Sequence, residues 1–334
     1  MKFGPVPVAE AKGAIAAHAV RHGELSLKKG HVIDAANQAA LASAGVESVI
    51  AARLEPGDVG EDEAATSLAE HLAGAHLRRE RAFTGRVNLF ATVNGLIDVD
   101  PAAIDRVNQV NEAITVATLS AFRPVVAGDM AATVKIIPFA APGAALAAAR
   151  ACAGSRGAIR IAAYRPLRIG VVSTLLPGLK PSVVAKTLRV LEHRLAPSGA
   201  SIARELRVAH EEQALARAIQ SLAGECQAVV IFGASAITDR RDVIPSALEA
   251  SGGRIEHFGM PVDPGNLLLL GAIGRVPVIG APGCARSPKE NGFDWVLGRI
   301  LADIPITRAD IQAMGVGGLL MEIATRPQPR LGDE

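Results

Sequence analysis

Residues 166–209 read PLRIGVVSTLLPGLKPSVVAKTLRVLEHRLAPSGASIARELRVA, and the changes of pattern inside this stretch decide the fold. PLRIGVVST is a near-continuous apolar run of the kind found in a strand buried on both faces. PSVVAKTLRVLEHRLAPSG has helical spacing, with Pro181 at its start and Gly199 past its end. ASIARELRV is a second strand. The alternation continues downstream: EEQALARAIQSLAG (211–224) as helix, QAVVIFGAS (227–235) as strand and turn, DVIPSALEASGG (242–253) as helix, RIEHFG (254–259) as strand, VPVIGAPG (276–283) as strand and loop, and KENGFDWVLGRILAD (289–303) as helix. Strands and helices joined by short connections predict a parallel or mostly parallel sheet covered on both faces. Ligands of such folds sit beyond the carboxyl ends of the strands. Three loops leave strands there: FGASAITDRRD (232–242), GMPVDPGN (259–266) and GAPGCARSPKEN (280–291).

The first half mixes its signals. AEAKGAIAAHAV (9–20) predicts a helix, HVIDAANQAALASAG (31–45) a short helix ended by Gly45, VESVIAARL (46–54) a strand, and EPGDVGEDEAATSLAEHLAGAHL (55–77) an acid-led helix. GRVNLFATVNGLIDVD (85–100) alternates like strands around a turn at Asn94 and Gly95, a helix follows from Pro101, and MAATVKIIPFA (130–140) reads as a strand. PFAAPGAALAAARACAGS (138–155) is either an Ala-rich helix or a connector. Its shift in composition places the boundary between an α+β region, 1–155, and the α/β domain, 156–334.

The 334 residues are 49% hydrophobic and 20% charged, the balance of a soluble globular protein, and with 3% aromatics the core must be built from Ala, Val, Ile and Leu. A formal net charge of +2 with scattered Lys and Arg gives no nucleic-acid face. Cys152, Cys226 and Cys284 are odd in number and far apart, which argues against a disulfide framework or structural zinc and for a reducing compartment. No apolar run reaches the ~20 residues of a membrane span, and MKFGPVPVAEAKG has no signal-like apolar block, so a cytoplasmic protein is expected. The eight His form no HxxxH or HExxH pattern, and GxSxG, Walker and GxGxxG motifs are missing.

Each of the three loops carries groups suited to an anionic ligand. Gly233, Ala234, Ser235 and Ala236 are small enough for backbone N–H groups to approach an anion, and Arg240 and Arg241 add cations. Asp242 either holds Mg²⁺ on a phosphate, caps the following helix, or does both. Asp263, Gly265 and Asn266 lie in a proline-stiffened turn that serves either as plain connection or as ligand contact. SPKE reads as a capping box, with Ser287 as N-cap, Pro288 at the first helical position and Glu290 three after the cap. An anion there would rely on the N–H groups of Gly283 to Arg286, the side chains of Arg286 and Lys289, and the helix dipole, with Pro282 as a further cofactor-binding residue of the loop. Cys284 is either a nucleophile activated by a cation or a small lining residue. Phe293 and Trp295 fall at core spacing, and Asp58 and Glu61 to Glu63 either favour a helix start or act as ligands or acid–base groups.

RRDVIPSA (240–247), following a strand and a small-residue turn, resembles the molybdopterin-binding domain shared by molybdopterin adenylyltransferases and molybdopterin molybdotransferases. The resemblance implies that Asp242 is the family's functional aspartate, catalytic and metal-holding. GAPGC occupies the place of the family's proline-glycine loop, with Cys284-Ala285 where Asn-Pro is usual. In LRVAHEEQAL, His210, Glu211 and Glu212 stand where the family often carries aspartates. Residues 27–65 are similar to the amino-terminal region of molybdotransferase-like proteins, and the match is strongest from Leu167 to Met321. The resemblance implies a three-layer α/β/α sandwich preceded by an α+β region, a molybdopterin ligand, Mg²⁺ and a nucleoside triphosphate as further cofactors, and a homo-oligomer. A phosphate would meet Arg286, Lys289 and loop N–H groups, and a pterin would meet Asn266 or Asn291. The implied role is an enzyme of molybdenum cofactor biosynthesis, by nucleotidyl transfer or molybdate insertion. The alternative, favoured by the residues around His210, is a non-catalytic carrier or sensor that passes the cofactor to a nucleotidyltransferase or a molybdoenzyme. A third reading keeps the fold but serves another phosphorylated metabolite.

Overall fold

The computed structural model describes residues 1–22, 25–154 and 157–320. The chain forms two compact units, one of residues 1–162 and one that begins at Ala163. The boundary expected at 155/156 falls on Ser155 and Arg156, outside the described residues.

In the first unit, strands Ile114–Thr118, Met130–Ile136, Arg86–Ala91 and Leu77–Arg79 lie side by side in that order, all antiparallel. Val87, Leu89, Val134 and Ile136 of these strands pack on Leu68, Leu72, Val107 and Leu146 of the helices Glu61–Leu72, Pro101–Val110 and Gly143–Cys152. The strand Gly95–Val99 belongs to another sheet, between Pro124–Val125 and Ile159–Ala163, so the two strands around Asn94 do not pair with each other. In the Ala-rich stretch from 138, Ala140–Pro142 is a short strand and Gly143–Cys152 a helix. Asp34 caps the helix Ala35–Ser43 by accepting the Asn37 N–H at 2.7 Å.

Residues 9–20 correct the sequence-based expectation, because they are not a helix. They hold part of a short 3-10 turn, Val8–Glu10, a two-residue strand, Ile15–Ala16, and the start of the strand Val20–His22. Gly13 is left-handed at φ +81°, and the Ala16 and Ala17 N–H groups donate to His31 O and Ile50 O rather than back along a helix. Ala11, Ala14 and Ala16 are fully buried. Small side chains allow this close backbone approach, and tertiary packing overrides alanine's helical propensity.

The second unit contains β1 (Arg168–Leu175), α1 (Pro181–Leu195), β2 (Ser201–Ala209), α2 (Glu212–Ala223), β3 (Ala228–Phe232), α3 (Val243–Ala250), β4 (Arg254–Phe258), β5 (Leu269–Ile273), β6 (Val276–Ala281), α4 (Gly292–Leu301) and α5 (Arg308–Gln312). They build an α/β fold on one mixed sheet of order β2-β1-β3-β6-β5-β4. The first four strands in that order are mutually parallel, while β5 runs antiparallel to both neighbours. β5 went unrecognised in the sequence. Its LLGAI follows two further leucines, and an unbroken apolar run shows no period of two.

The period of two is clear in the packing. Ile169, Val171, Val230, Phe232 and Ile279 join one cluster with Leu191 and Leu195 of α1 and Phe293, Val296 and Leu297 of α4. Val172, Val229, Ile231 and Val278 join another with Leu215, Ile219 and Leu222 of α2 and Ile244 and Leu248 of α3. Each such aliphatic side chain, fully buried, contributes about 1.5–3 kcal/mol. From β1 the chain passes outward to β2, then returns across β1 to β3. The order of connection thus reverses between β1 and β3, which makes the gap beyond their carboxyl ends the switch point where such sheets bind ligands.

Candidate functional site

The ends of β1, β2, β3 and β6 meet at this edge through hydrogen bonds. Thr174, at the end of β1, is 1% exposed, and its hydroxyl accepts the Ala234 N–H at 2.8 Å. The same hydroxyl lies 2.8 Å from Nδ1 of His210, the residue after β2. On the other flank Arg286 Nη2 donates to Gly233 O at 2.6 Å, with its guanidinium 5.5 Å from the Phe232 ring centroid. The Gly233–Ala234 peptide is thus held at both ends. Only glycine fits at 233, since a Cβ would stand 2.6 Å from Ile244 Cδ1 and 2.7 Å from Ser235 O.

Arg286 is half-buried, and burial pulls its guanidinium below the ordinary arginine value. Among the described residues its partners are Gly233 O, Thr187 Oγ1 and the Phe232 ring, with no carboxylate in ion-pair distance. A desolvated cation without a counter-charge is an anion site in waiting.

The third loop departs from its sequence-based description. SPKE is not the start of the helix: α4 begins at Gly292 with Asn291 as its cap. Asn291 Oδ1 accepts the Phe293 N–H at 3.1 Å, and Asp294 Oδ2 accepts the Asn291 N–H at 2.9 Å. Ser287 instead ends a short 3-10 turn, Gly283–Arg286, and its hydroxyl accepts the Lys289 N–H at 3.3 Å. The cause is Arg194 of α1, which the sequence reading missed. Its guanidinium donates to Ala285 O at 2.9 Å, Ser287 O at 2.7 Å and Lys289 O at 3.2 Å, and pairs with Asp294. Carbonyls turned toward Arg194 are drawn away from the helix axis, and the helix starts only at the capping box formed by Asn291 and Asp294. The only sequence signal for Arg194 was a cation in the last turn of a helix, which helix ends attract for general reasons.

The second loop joins the third through the Gly292 N–H, which donates to Pro264 O at 2.9 Å. Gly265, at φ +147°, runs so close that a Cβ would lie 2.8 Å from Gly292 N. Asp263 bonds through its backbone to Gly318 and Leu320, and the Asn266 amide lies 3.4 Å from Met260 O. Asn291 is buried, with its amide donating to Lys289 O at 3.0 Å. These side chains brace the loops.

Asp242 caps α3: Oδ1 accepts the Val243 N–H at 2.9 Å and Oδ2 the Thr238 N–H at 3.1 Å. Arg241 is exposed and pairs with Asp239 at 2.9 Å. Ser235, Ala236, Gly283 and Lys289 are exposed, and Pro282 is buried. Burial pushes the Cys284 thiol up, the opposite of an activated nucleophile. Asp58 pairs with the amino terminus at 2.7 Å, and Asp62 accepts the Gly85 N–H at 2.6 Å, both supporting local structure. Among the described residues no three His, Cys, Asp or Glu are grouped to hold a metal ion, and no helix is long and apolar enough to cross a membrane.

The edge therefore unites Thr174, His210, Gly233, Ala234 and Arg286. A cleft of about 820 Å³, lined by Arg165, Gln227, Arg254, Arg275 and Pro277 among others, opens at the opposite edge, beside the amino ends of β1, β3 and β6. We place the site at the carboxyl edge because the switch point coincides there with a cation that has no ion pair among the described residues.

A family model described as Domain of unknown function (DUF8806) matches residues 5–53. No curated protein matches the chain. Among solved structures, a molybdopterin biosynthesis moeA protein of Pyrococcus horikoshii is similar at 16% identity and TM-score 0.32, over 90% of this chain and 75% of that one. A molybdenum cofactor biosynthesis protein of Pyrococcus furiosus is similar at 13% identity and TM-score 0.26, over 93% and 65%. A further moeA structure from P. horikoshii OT3 is similar at 12% identity and TM-score 0.28, over 74% and 79%. Overlaps this loose carry no function by themselves.

Proposed function

We propose that the protein binds molybdopterin at the carboxyl edge of its second unit and acts in molybdenum cofactor biosynthesis. The observation that carries the reading is Arg286, half-buried, fixed on Gly233 O and without an ion pair among the described residues. A terminal phosphate supplies the missing charge. The second support is the resemblance of RRDVIPSA and GAPGC to the molybdopterin-binding domain. Within this reading the two packed faces of the sheet are those of a three-layer α/β/α sandwich, and the amino-terminal region, 1–155, belongs with the molybdotransferase-like type.

The residues present fit the anion better than they fit a dedicated magnesium centre. Both oxygens of Asp242 accept N–H groups of its own loop and helix, and it belongs to no group of three or more His, Cys, Asp or Glu among the described residues. This favours the carrier reading, in which the bound cofactor passes to a nucleotidyltransferase or a molybdoenzyme.

Calorimetric titration of the full chain with anaerobic molybdopterin tests the proposal. Arg286→Gln removes a charge-assisted contact worth about 1.5–3 kcal/mol, and so weakens binding by roughly 10- to 150-fold. Equal binding by the variant, or none by the parent, counts against it.

A further inference from the structure

The Thr174 hydroxyl accepts the Ala234 N–H and is almost wholly buried, so its own proton needs an acceptor inside the protein. Among the described residues, the group placed to take it is His210 Nδ1, 2.8 Å away. The donor chain runs from Ala234 N–H to Thr174 O–H to His210 Nδ1. With Nδ1 as the acceptor, the ring N–H is on Nε2.

We infer that His210 is a specificity-determining residue of this site: its Nε2–H donates to an uncharged acceptor on the ligand, a ring oxygen or nitrogen of the pterin, while Arg286 takes the phosphate. The inference rests on the molybdopterin reading above. The two groups cannot exchange roles. Gly233 C=O and Ala234 N–H belong to one trans peptide and point opposite ways, so Arg286 and the Thr174–His210 pair stand on opposite flanks of β3. The strands that present them, β2 and β6, are three spacings apart, about 14 Å between backbones before the side chains reach inward. A small anion fills only the Arg286 flank. A phosphorylated heterocycle spans both, oriented by charge at one end and by a fixed N–H donor at the other.

The test uses the full chain with two probes, anaerobic molybdopterin and inorganic phosphate. His210→Ala is expected to lose about tenfold more affinity for molybdopterin than for phosphate, the loss of one neutral hydrogen bond. His210→Gln, which returns an amide donor near the Nε2 position, recovers all but about threefold of it. Imidazole ¹⁵N spectra of the parent should show Nε2 protonated and Nδ1 bare, with Nε2 moving on addition of molybdopterin but not of phosphate. Equal losses for both probes, a proton on Nδ1, or an unmoved Nε2 overturns the assignment, and the spectra decide it even where His210→Ala does not fold. If Arg286→Gln loses both probes while His210→Ala loses neither, only the His210 inference fails. If the parent does not bind molybdopterin, the ligand reading itself fails.

Discussion

Arg194→Met tests whether one buried guanidinium sets the shape of the loop that presents Arg286. The side chains of Arg194 and Asp294 are 10% and 25% exposed, so their pair lies between a surface and a core interaction. Breaking a fully buried pair costs about 3–5 kcal/mol. Asp294 keeps some solvent and still accepts the Asn291 N–H, which brings the expected cost to roughly 2–4 kcal/mol. The second unit should then melt about 5–12 °C lower, as a unit of its size converts free energy to temperature. Arg194→Lys keeps the charge but cannot reach three carbonyls and a carboxylate together, and should fall between. Calorimetric melting supplies the first readout and phosphate titration the second, since Ala285 O, one of the released carbonyls, adjoins Arg286. A melting temperature within about 1 °C of the parent, with phosphate affinity intact, refutes the reasoning.

Three further outcomes follow from the same geometry. Gly265→Ala places a Cβ 2.8 Å from Gly292 N at φ +147°, and is expected to cost about 2–4 kcal/mol, whereas Gly252→Ala, left-handed but open, costs about 1 kcal/mol; chemical denaturation compares them. Asp310, held below the usual carboxylate range chiefly by the Thr307 hydroxyl, stabilises the fold above its unfolded value near 3.8, and that stability is lost as pH falls through its lower folded value. The melting difference between the parent and Asp310→Asn should accordingly be present at neutral pH and close in acid. Cys284, its thiol pushed up by burial, should react with iodoacetamide more slowly than a free thiol at pH 8, and mass spectrometry of the modified peptide would contradict this by showing prompt labelling.

The parts of the fold legible in the sequence are those whose cause is local. The strands flanking α1 announce themselves by composition, α1 by Pro181 and Gly199, and the cap of α3 by the residue type of Asp242. What stayed hidden depends on distant partners. Ser287 opens the capping box that the sequence shows, but the helix starts from Asn291, drawn there by Arg194, almost a hundred residues upstream. Residues 9–20 have the alanines of a helix, but those alanines are used to bring strands together. At the site, Arg286 was named from its place beside a glycine loop, while its lack of a counter-charge among the described residues could be seen only in space. Thr174 and His210 carried no signal of partnership, because the sheet order that joins them is not written in either segment.

The central claim is that a phosphate binds where β3 and β6 end. A crystal structure of the chain grown with molybdopterin tests it most directly. The account predicts the phosphate within about 2.7–3.2 Å of the Arg286 guanidinium, beside Gly233. Density for the ligand in the cleft lined by Arg165, Arg254 and Arg275, with the carboxyl edge empty, would contradict it.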